Sequence, residues 1–251
     1  MSEARETVYF VSDAHFGLAA GARGAGEREK VGRFRELSAQ MRAAAADLYI
    51  LGDLFDFWIE YRMAIRPDYF IVLHELRCLV EAGVRVHYLV GNHDFALGPF
   101  LRETVGVSIC HYALDVEIQG RRVHMRHGDD ILKNNPLTVR ILRNEFCQKL
   151  YKIIHPDIGV RIGMYISALS RKRYENVEIS EEAREKYRQA ARSCMKAQKC
   201  DLIVYAHTHY SELINYREGE YCNIGSWMNH YDYAVMRGGK IQLLRWGSSA
   251  S

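Results

Sequence analysis

The chain has 251 residues, of which 48% are hydrophobic and 26% are charged, and its net charge is +3. This composition is ordinary for a soluble globular protein of one large domain, and we treat residues 1–251 as a single domain. The polar N-terminus does not resemble a signal peptide and no apolar run could span a bilayer, so we expect a cytoplasmic protein. The six cysteines are scattered without a C-x-x-C pair and are expected to be free thiols.

Short apolar runs alternate with helical patterns in the first part of the chain. The predicted strands are 7–13, 47–53 and 84–92. Residues 27–46 and 67–83 have helical spacing, and the second of these segments begins at Pro67 and ends at Gly83. Strand–helix–strand alternation predicts parallel pairing in an α/β fold.

Further strands are predicted at 121–129 and 201–209, and two hairpins turn at Gln119-Gly120 and Gly238-Gly239. Parallel and antiparallel pairing in one chain predicts a four-layer α/β sandwich, with two mixed sheets and helices outside.

Residues 130–200 interrupt this rhythm with several helical patterns. Within them, residues 133–199 contain 15 Lys or Arg against 7 Asp or Glu, which is an excess of eight positive charges. We expect a helical cap inserted into the main domain. The charge suggests an anionic partner, although charge alone slightly favours a solvated helical face.

Almost every predicted core strand ends in residue types that bind metal ions. The strand-end residues are Asp13, His15, Asp53, Asp56, Asn92, His93, Asp94, His127, His207 and His209. Strand ends at one edge of an α/β sheet converge in space, and such edges hold ligand sites. Oxygen and imidazole donors without thiolates favour two divalent ions of the Mn, Fe or Zn type, and two-metal sites serve phosphoryl displacement. A bridging carboxylate is needed, and Asp53 is the best candidate.

The ordered motifs D-x-H, G-D-x-x-D, G-N-H-D, H and H-x-H resemble those of the calcineurin-like metallophosphoesterase family, over residues 7–129 and 201–227. The last motif usually begins with Gly, and here it begins with Ala206.

The resemblance implies a role for each matching residue. Asp13, His15 and His209 would hold one metal, Asn92, His127 and His207 the other, and Asp53 would bridge. His93 would face the phosphate, Asp94 would orient His93, and Asp56 would support the ligands. Two divalent ions are the implied cofactors, with Mn²⁺ first and Fe or Zn as alternatives.

The segments LGDLFDFWIEY and NIGSW, together with the helical insertion, resemble a branch of the family that cleaves a UDP-diacylglucosamine lipid of lipid A biosynthesis. The better-known form of that branch has Arg where this chain has His93. By resemblance, Asn135, Ser170, Lys172 and Arg173 fall near its substrate-contacting stretches.

The insertion carries apolar residues at helical spacing, interleaved with Lys and Arg. Such a basic amphipathic cap can take acyl chains and lie on the cytoplasmic face of the inner membrane. The same apolar residues could instead pack the cap onto the core.

Two rival functions stay open. The first is a phosphodiesterase or nucleotidase that acts on a soluble substrate with the same site. No nucleic-acid partner is expected, because few aromatic residues accompany the basic residues of the insertion. A non-catalytic scaffold is disfavoured because all seven ligand positions are filled. The sequence predicts no oligomeric state.

Overall fold

The computed structural model describes residues 5–17, 25–44, 46–132, 141, 144–174 and 179–247, without the side chains of 25, 145 and 170–174. Within these residues, one six-stranded and one five-stranded sheet pack face to face, with helices on their outer sides. The predicted α/β sandwich of two mixed sheets is confirmed.

The elements occur in the following order along the chain. They are β1 (Thr7–Val11), α1 (Ala25–Ala43), β2 (Asp47–Leu51), α2 (Phe70–Glu81), β3 (Arg85–Leu89), β4 (Ser108–Cys110), β5 (Leu114–Ile118), β6 (Arg121–Met125), α3 (Glu145–Tyr151), α4 (Pro156–Tyr174), α5 (Glu181–Gln198), β7 (Leu202–Tyr205), β8 (Ser211–Tyr216), β9 (Gly219–Ile224), α6 (Trp227–His230), β10 (Asp232–Arg237) and β11 (Lys240–Arg245).

The first sheet has the strand order β11-β10-β1-β2-β3-β4, and the second has the order β5-β6-β7-β9-β8. Strands β1 to β4 run parallel to one another, as do β6, β7 and β9, whereas β10, β11, β5 and β8 add antiparallel partners. Both sheets are therefore mixed, and each has a parallel centre whose carboxyl ends lie at one edge.

Alternation along β1 shows how the layers form. Val8 and Phe10 face the second sheet, and Tyr9 and Val11 face the helices of the first sheet. Successive side chains of a strand point to opposite faces, so a strand that is apolar on both faces must be covered on both.

The helices of the segment 130–200 have different neighbours. Helix α5 packs Tyr187, Ala191 and Met195 onto the outer face of β7 and β9. Helix α4 instead contacts the loop after β2, where Met164 meets Phe57. Helix α4 therefore lies beside the loop after β2. Helix α5 forms an outer layer of the sandwich and reaches the loop after β6 through Tyr187, whose hydroxyl donates to the carbonyl of Gly128 over 2.8 Å.

Both predicted hairpins form, and their turns have the positive φ angles that short hairpin loops require: 51° at Gln119, 78° at Gly120, 54° at Gly238 and 75° at Gly239. The hairpin of β8 and β9 was not predicted. Among the described residues, no helix combines the length and the apolar character needed to cross a bilayer.

Candidate active site

Three neighbouring parallel strands of the first sheet lead into most of the predicted site residues. Strands β1, β2 and β3 each end on a buried apolar residue and continue into a loop. The loops are joined by backbone hydrogen bonds: the amide of His15 donates to the carbonyl of Asp53 over 3.0 Å, and that of Trp58 donates to the carbonyl of His93 over 3.1 Å. The polar ends of the predicted strands are thus loop residues held by their neighbours.

The second sheet contributes the remaining histidines. His127 follows β6, and His207 and His209 follow the adjacent parallel strand β7. The amide of His207 donates to Oδ2 of Asp13 over 3.1 Å, which links the second sheet to the first. The strand ends of both sheets therefore meet at one place.

One group of possible metal donors consists of Asp13, His15 and His209, whose donor atoms lie within 4.8 Å of one another. Oδ1 of Asp13 is 3.2 Å from Nε2 of His209 and 3.9 Å from Nε2 of His15. One carboxylate and two imidazoles at these separations suit a divalent transition metal.

A second group consists of Asp53, His127 and His207, also within 4.8 Å. Nε2 of His127 lies 3.2 Å from Nδ1 of His207 and 3.0 Å from the side-chain oxygen of Asn92. The structure thus gathers the four residues that the sequence places around a second ion.

Asp53 lies between the two groups. Its Oδ2 atom is 3.3 Å from Nε2 of His127 and 3.9 Å from Nε2 of His15. The other oxygen accepts a hydrogen bond of 2.8 Å from the amide of His93. A carboxylate that lies near donor atoms of both groups would be placed to coordinate both ions as a bridge.

His15 also belongs to a third, overlapping group with Asp56 and His93. Nδ1 of His15 is 3.7 Å from Oδ1 of Asp56, and the His15 and His93 rings are 4.7 Å apart. Asp56 and His93 therefore border the first donor group.

The buried histidines are suited to receive metal ions. Neither ring nitrogen of His15 has a hydrogen-bond partner among the described residues, although the ring is buried. Burial, aided by the nearby His93, lowers the pKa of His15 well below its ordinary value. Burial also lowers the pKa of His207 to about 4, with a further contribution from His127. Both rings are neutral at pH 7 and offer lone pairs, and an unsatisfied buried polar group is costly without a ligand.

The carboxylates are ionised despite their burial. Burial raises the pKa of Asp53, but His127 and His93 outweigh it and hold that pKa well below its usual range. Burial likewise raises the pKa of Asp13, and the interaction with His209 brings it below the ordinary value. Burial lowers the pKa values of His127 and His209, but Asp53 and Asp13 respectively outweigh it, so the pKa of His127 lies well above its ordinary value and that of His209 above it. A divalent cation would take the place of these protons beside the ionised oxygens.

The backbone of the candidate ligands is strained. Left-handed φ angles occur at Asp13 (49°), His15 (45°), Asp53 (52°), His207 (70°) and His209 (56°). Such a conformation costs a non-glycine residue roughly 1–3 kcal/mol and persists where the surrounding structure enforces it, commonly at functional sites. Sharp turns after each strand direct these side chains to one point.

His93 and Asp94 have separate surroundings. Nδ1 of His93 lies 2.9 Å from the carbonyl oxygen of Asp56 and 2.9 Å from the hydroxyl of Ser167. The buried Asp94 carboxylate accepts from the amides of Leu54 and Gly91 and from the hydroxyl of Tyr88.

The hydrogen bonds of Asp94 come from the strand loops, whereas those at Nδ1 of His93 come from Asp56 and Ser167. The role of Asp94 in orienting His93 stays a prediction. Asp94 holds the loop, and Asp56 and Ser167 hold the ring. Burial, with the charge of Asp53, raises the pKa of Asp94 to about 6.

Sequence reasoning missed Ser167, which lies in α4 and is buried against the site. Its hydroxyl is 2.9 Å from the carbonyl oxygen of Asp56 and 3.1 Å from Oδ1 of Asp56. A serine among apolar helical residues gives no signal of its position next to the site. Of the predicted substrate contacts, Asn135 lies outside the described residues, as do the side chains of Ser170, Lys172 and Arg173.

A cleft of about 760 Å³ adjoins the site between α4 and the segment that follows β2. Aromatic residues, including Phe57, Tyr61 and Tyr69, line one wall, and Val160 and Met164 line the other. Ala168 also lines it, next to Ser167 in the chain, so the cleft begins beside the residues that contact His93.

Residues 6–211 match the model of the calcineurin-like phosphoesterases. The chain belongs to this family. It is therefore a metal-dependent phosphoesterase, and the buried donor groups are consistent with divalent metal ions as its cofactors.

Several curated relatives are named UDP-2,3-diacylglucosamine hydrolase. The protein of Porphyromonas gingivalis is 26% identical over 95% of this chain and 97% of its own length. That of Ralstonia nicotianae is 28% identical over 94% of this chain and 88% of its own length. That of Vibrio vulnificus is 31% identical over 66% of this chain and 68% of its own length.

A solved archaeal phosphodiesterase has the same fold, with a TM-score of 0.50 and 11% identity over 95% of this chain and 99% of its own.

Proposed function

We propose that this phosphoesterase hydrolyses the pyrophosphate of UDP-2,3-diacylglucosamine at the α-phosphorus, releasing UMP and 2,3-diacylglucosamine 1-phosphate. The relatives of that name cover nearly the whole chain. The observation that carries the proposal is the cleft between α4 and the segment after β2. Its apolar and aromatic residues, which lie alongside Arg66, Asp68, Asp157 and Arg161, would take acyl chains, and its residue Ala168 is next in the chain to Ser167, which contacts His93.

In this proposal, Asp13, His15 and His209 hold one divalent ion and Asn92, His127 and His207 hold the other, with Asp53 between them. When bound, these ions neutralise phosphate oxygens and lower the pKa of water, which is the chemistry that two-metal sites supply to phosphoryl displacement. Mn²⁺ is our first choice, and Fe and Zn accept the same donors.

His93 stabilises charge on the phosphate or protonates the leaving group. The carbonyl of Asp56 can only accept a hydrogen bond, so Nδ1 of His93 carries the proton that lies 2.9 Å from it. In the neutral ring this leaves Nε2 as the nitrogen that gains or loses a proton. Asp94 fixes the loop that carries His93, and Asp56 and Ser167 hold the ring.

Within the segment 130–200, helices α3 and α4 would act as the cap, with α4 as the wall of the acyl site and α3 beside it. Exposed apolar side chains cluster on these two helices and on the turn between them. They include Phe146, Leu150, Ile153, Ile158, Ile162, Tyr165 and Leu169. Lys149, Lys152 and Arg161 lie among them. We propose that this face rests on an anionic bilayer, from which the lipid substrate enters the cleft.

A substrate comparison tests the proposal. The Mn²⁺-loaded protein would receive UDP-2,3-diacylglucosamine in detergent, UDP-N-acetylglucosamine and a chromogenic diester in parallel. Strong preference for the diacylated compound, with UMP as product, supports the proposal. Equal or better turnover of the two soluble compounds would refute it and favour a phosphodiesterase or nucleotidase acting on a soluble substrate.

A further inference from the structure

Ser167 shares the Nδ1 face of His93 with the carbonyl of Asp56. The carbonyl accepts from Nδ1, and the serine oxygen, 2.9 Å away, is a second acceptor for the same proton. The serine's own proton can go to either oxygen of Asp56, at 2.9 and 3.1 Å. The three groups therefore form a hydrogen-bonded set that joins Nδ1 of His93, the hydroxyl of Ser167, and the carbonyl and Oδ1 oxygens of Asp56.

The set is built from two parts of the fold. His93 and Asp56 belong to loops of the first sheet, whereas Ser167 belongs to α4, the helix that lines the apolar cleft. The hydrogen bond between Ser167 and Nδ1 of His93 joins this helix to the ring. The position of the helix and the orientation of the ring therefore depend on each other.

Two glycines set how closely α4 approaches the core. A Cβ atom at Gly163 would overlap the ring of Phe57, and one at Gly159 would overlap the hydroxyl of Tyr61. Phe57 is buried and has little room to move away. The close approach places Ser167, one helical turn beyond Gly163, within hydrogen-bonding distance of His93.

We propose that Ser167 is a positioning residue that couples the cap helix to His93, so that the wall of the lipid cleft also sets the orientation of the reacting imidazole. The inference rests on the role proposed for His93. It applies to the hydrolysis of any phosphoester at this site, whichever leaving group the substrate carries. Its tests use bis(p-nitrophenyl) phosphate, so a wrong lipid substrate would not affect them.

The first test is Ser167→Ala in the Mn²⁺-loaded protein. Loss of one hydrogen bond to the ring should lower kcat on the chromogenic diester roughly 3- to 10-fold, with KM nearly unchanged. Ser167→Thr, which keeps the hydroxyl, should restore most of the loss. Ser38→Ala is the matched control, since Ser38 is a buried serine in α1 whose hydroxyl has no partner among the described residues.

The second test is a double-mutant cycle with His93→Ala. If Ser167 acts through the ring, Ser167→Ala should change kcat less than about twofold once the ring is gone. An equal loss in both backgrounds, or an unchanged kcat in the single variant, would overturn the proposal.

Gly163→Ala provides an independent route, because it moves the helix without touching the hydroxyl. It should lower kcat in the wild-type background and have little effect in His93→Ala. If Gly163→Ala and Ser167→Ala instead lower kcat by the same factors without His93, the helix acts on something other than the ring.

A spectroscopic measurement separates the proposal from activity altogether. In the Zn²⁺-loaded protein with ¹⁵N-labelled histidine, the Nδ1 proton of His93 should exchange slowly with water. Ser167→Ala should speed that exchange while Ser38→Ala leaves it unchanged. Identical exchange in wild type and Ser167→Ala contradicts the coupling.

Discussion

The two walls of the active-site region are built differently. On the wall formed by the strand-end loops, the candidate ligands are buried or half-buried, backbone hydrogen bonds link the loops, and five of the seven ligands have left-handed φ angles. On the cap wall, α4 presents apolar side chains to a cleft on one side and to the surroundings on the other, where Ile158 and Leu169 are more than half exposed. A rigid polar wall suits chemistry common to a family, and an apolar wall suits selection of a substrate.

Removing the central carboxylate should break the first wall most severely. Asp53→Ala should lower turnover by more than the roughly 10- to 100-fold caused by changes around metal ligands, because both donor groups lose an oxygen. Metal analysis should show fewer than two ions per chain. Asp47→Ala is the control, since Asp47 is a buried aspartate at the other end of the same strand, paired with Arg85. Near-normal turnover of Asp53→Ala would end the two-metal model.

His93→Ala should have the next largest effect. Loss of a group that donates or accepts a proton should lower kcat by about 10²-fold. Metal content should stay close to that of the wild type, because His93 is outside the two proposed ligand sets. A parallel loss of metal would instead favour the third donor group, in which His93 joins His15 and Asp56.

The contrast between the walls also explains what could be predicted from the sequence. Residues such as Asp13 and His127 follow predicted strands, and parallel strands bring their ends together whatever the loops do. The predicted metal donors therefore come together in the structure. Their roles are properties of bound metal and substrate and stay predictions.

The cap was less predictable, because helical periodicity shows which side of a helix is apolar but not which element that side packs against. The sequence placed α5 in the cap, whereas its apolar face covers the second sheet. Two glycines four residues apart, Gly159 and Gly163, are a sequence signal of close helix packing. The hydrogen bond between Ser167 and His93 depends on how far α4 is rotated about its axis and how closely it approaches the core, which the sequence does not give. Strand β8 was not predicted, because its residues do not alternate between buried and exposed and its sequence therefore shows no strand pattern.

Narrowing the cleft should distinguish the function of the cap wall from that of the strand-end loops. Val160→Phe places a larger side chain in the cleft and should raise KM for UDP-2,3-diacylglucosamine roughly 10-fold, the effect of displacing a few methylene groups. Turnover of the chromogenic diester should be unaffected. Ile158→Phe, an exposed position on the same helix, serves as the control. Equal effects on both substrates would show that the change distorts the site and does not compete with acyl chains.

The smallest expected effect concerns the outer side of the cap. Phe146 and Ile153 are 74% and 78% exposed, and Lys149 and Lys152 lie beside them in the chain. Changing both apolar residues to Ser should weaken binding to phosphatidylglycerol vesicles about fivefold, because apolar area and positive charge act together at an interface. The melting temperature should not fall, since neither side chain contributes to the core.

Tyr112→Ser, at an exposed aromatic residue before β5, is the control for nonspecific binding of exposed apolar side chains to the vesicles. Binding that falls with salt yet ignores the Phe146 and Ile153 changes would mean that charge alone holds the cap to the vesicle. If binding is equal on phosphatidylcholine vesicles, the lysines have no part in it. If wild type binds neither kind of vesicle, the cap wall has only its inner, cleft-facing role, and the lipid must reach the cleft from a micelle or a carrier.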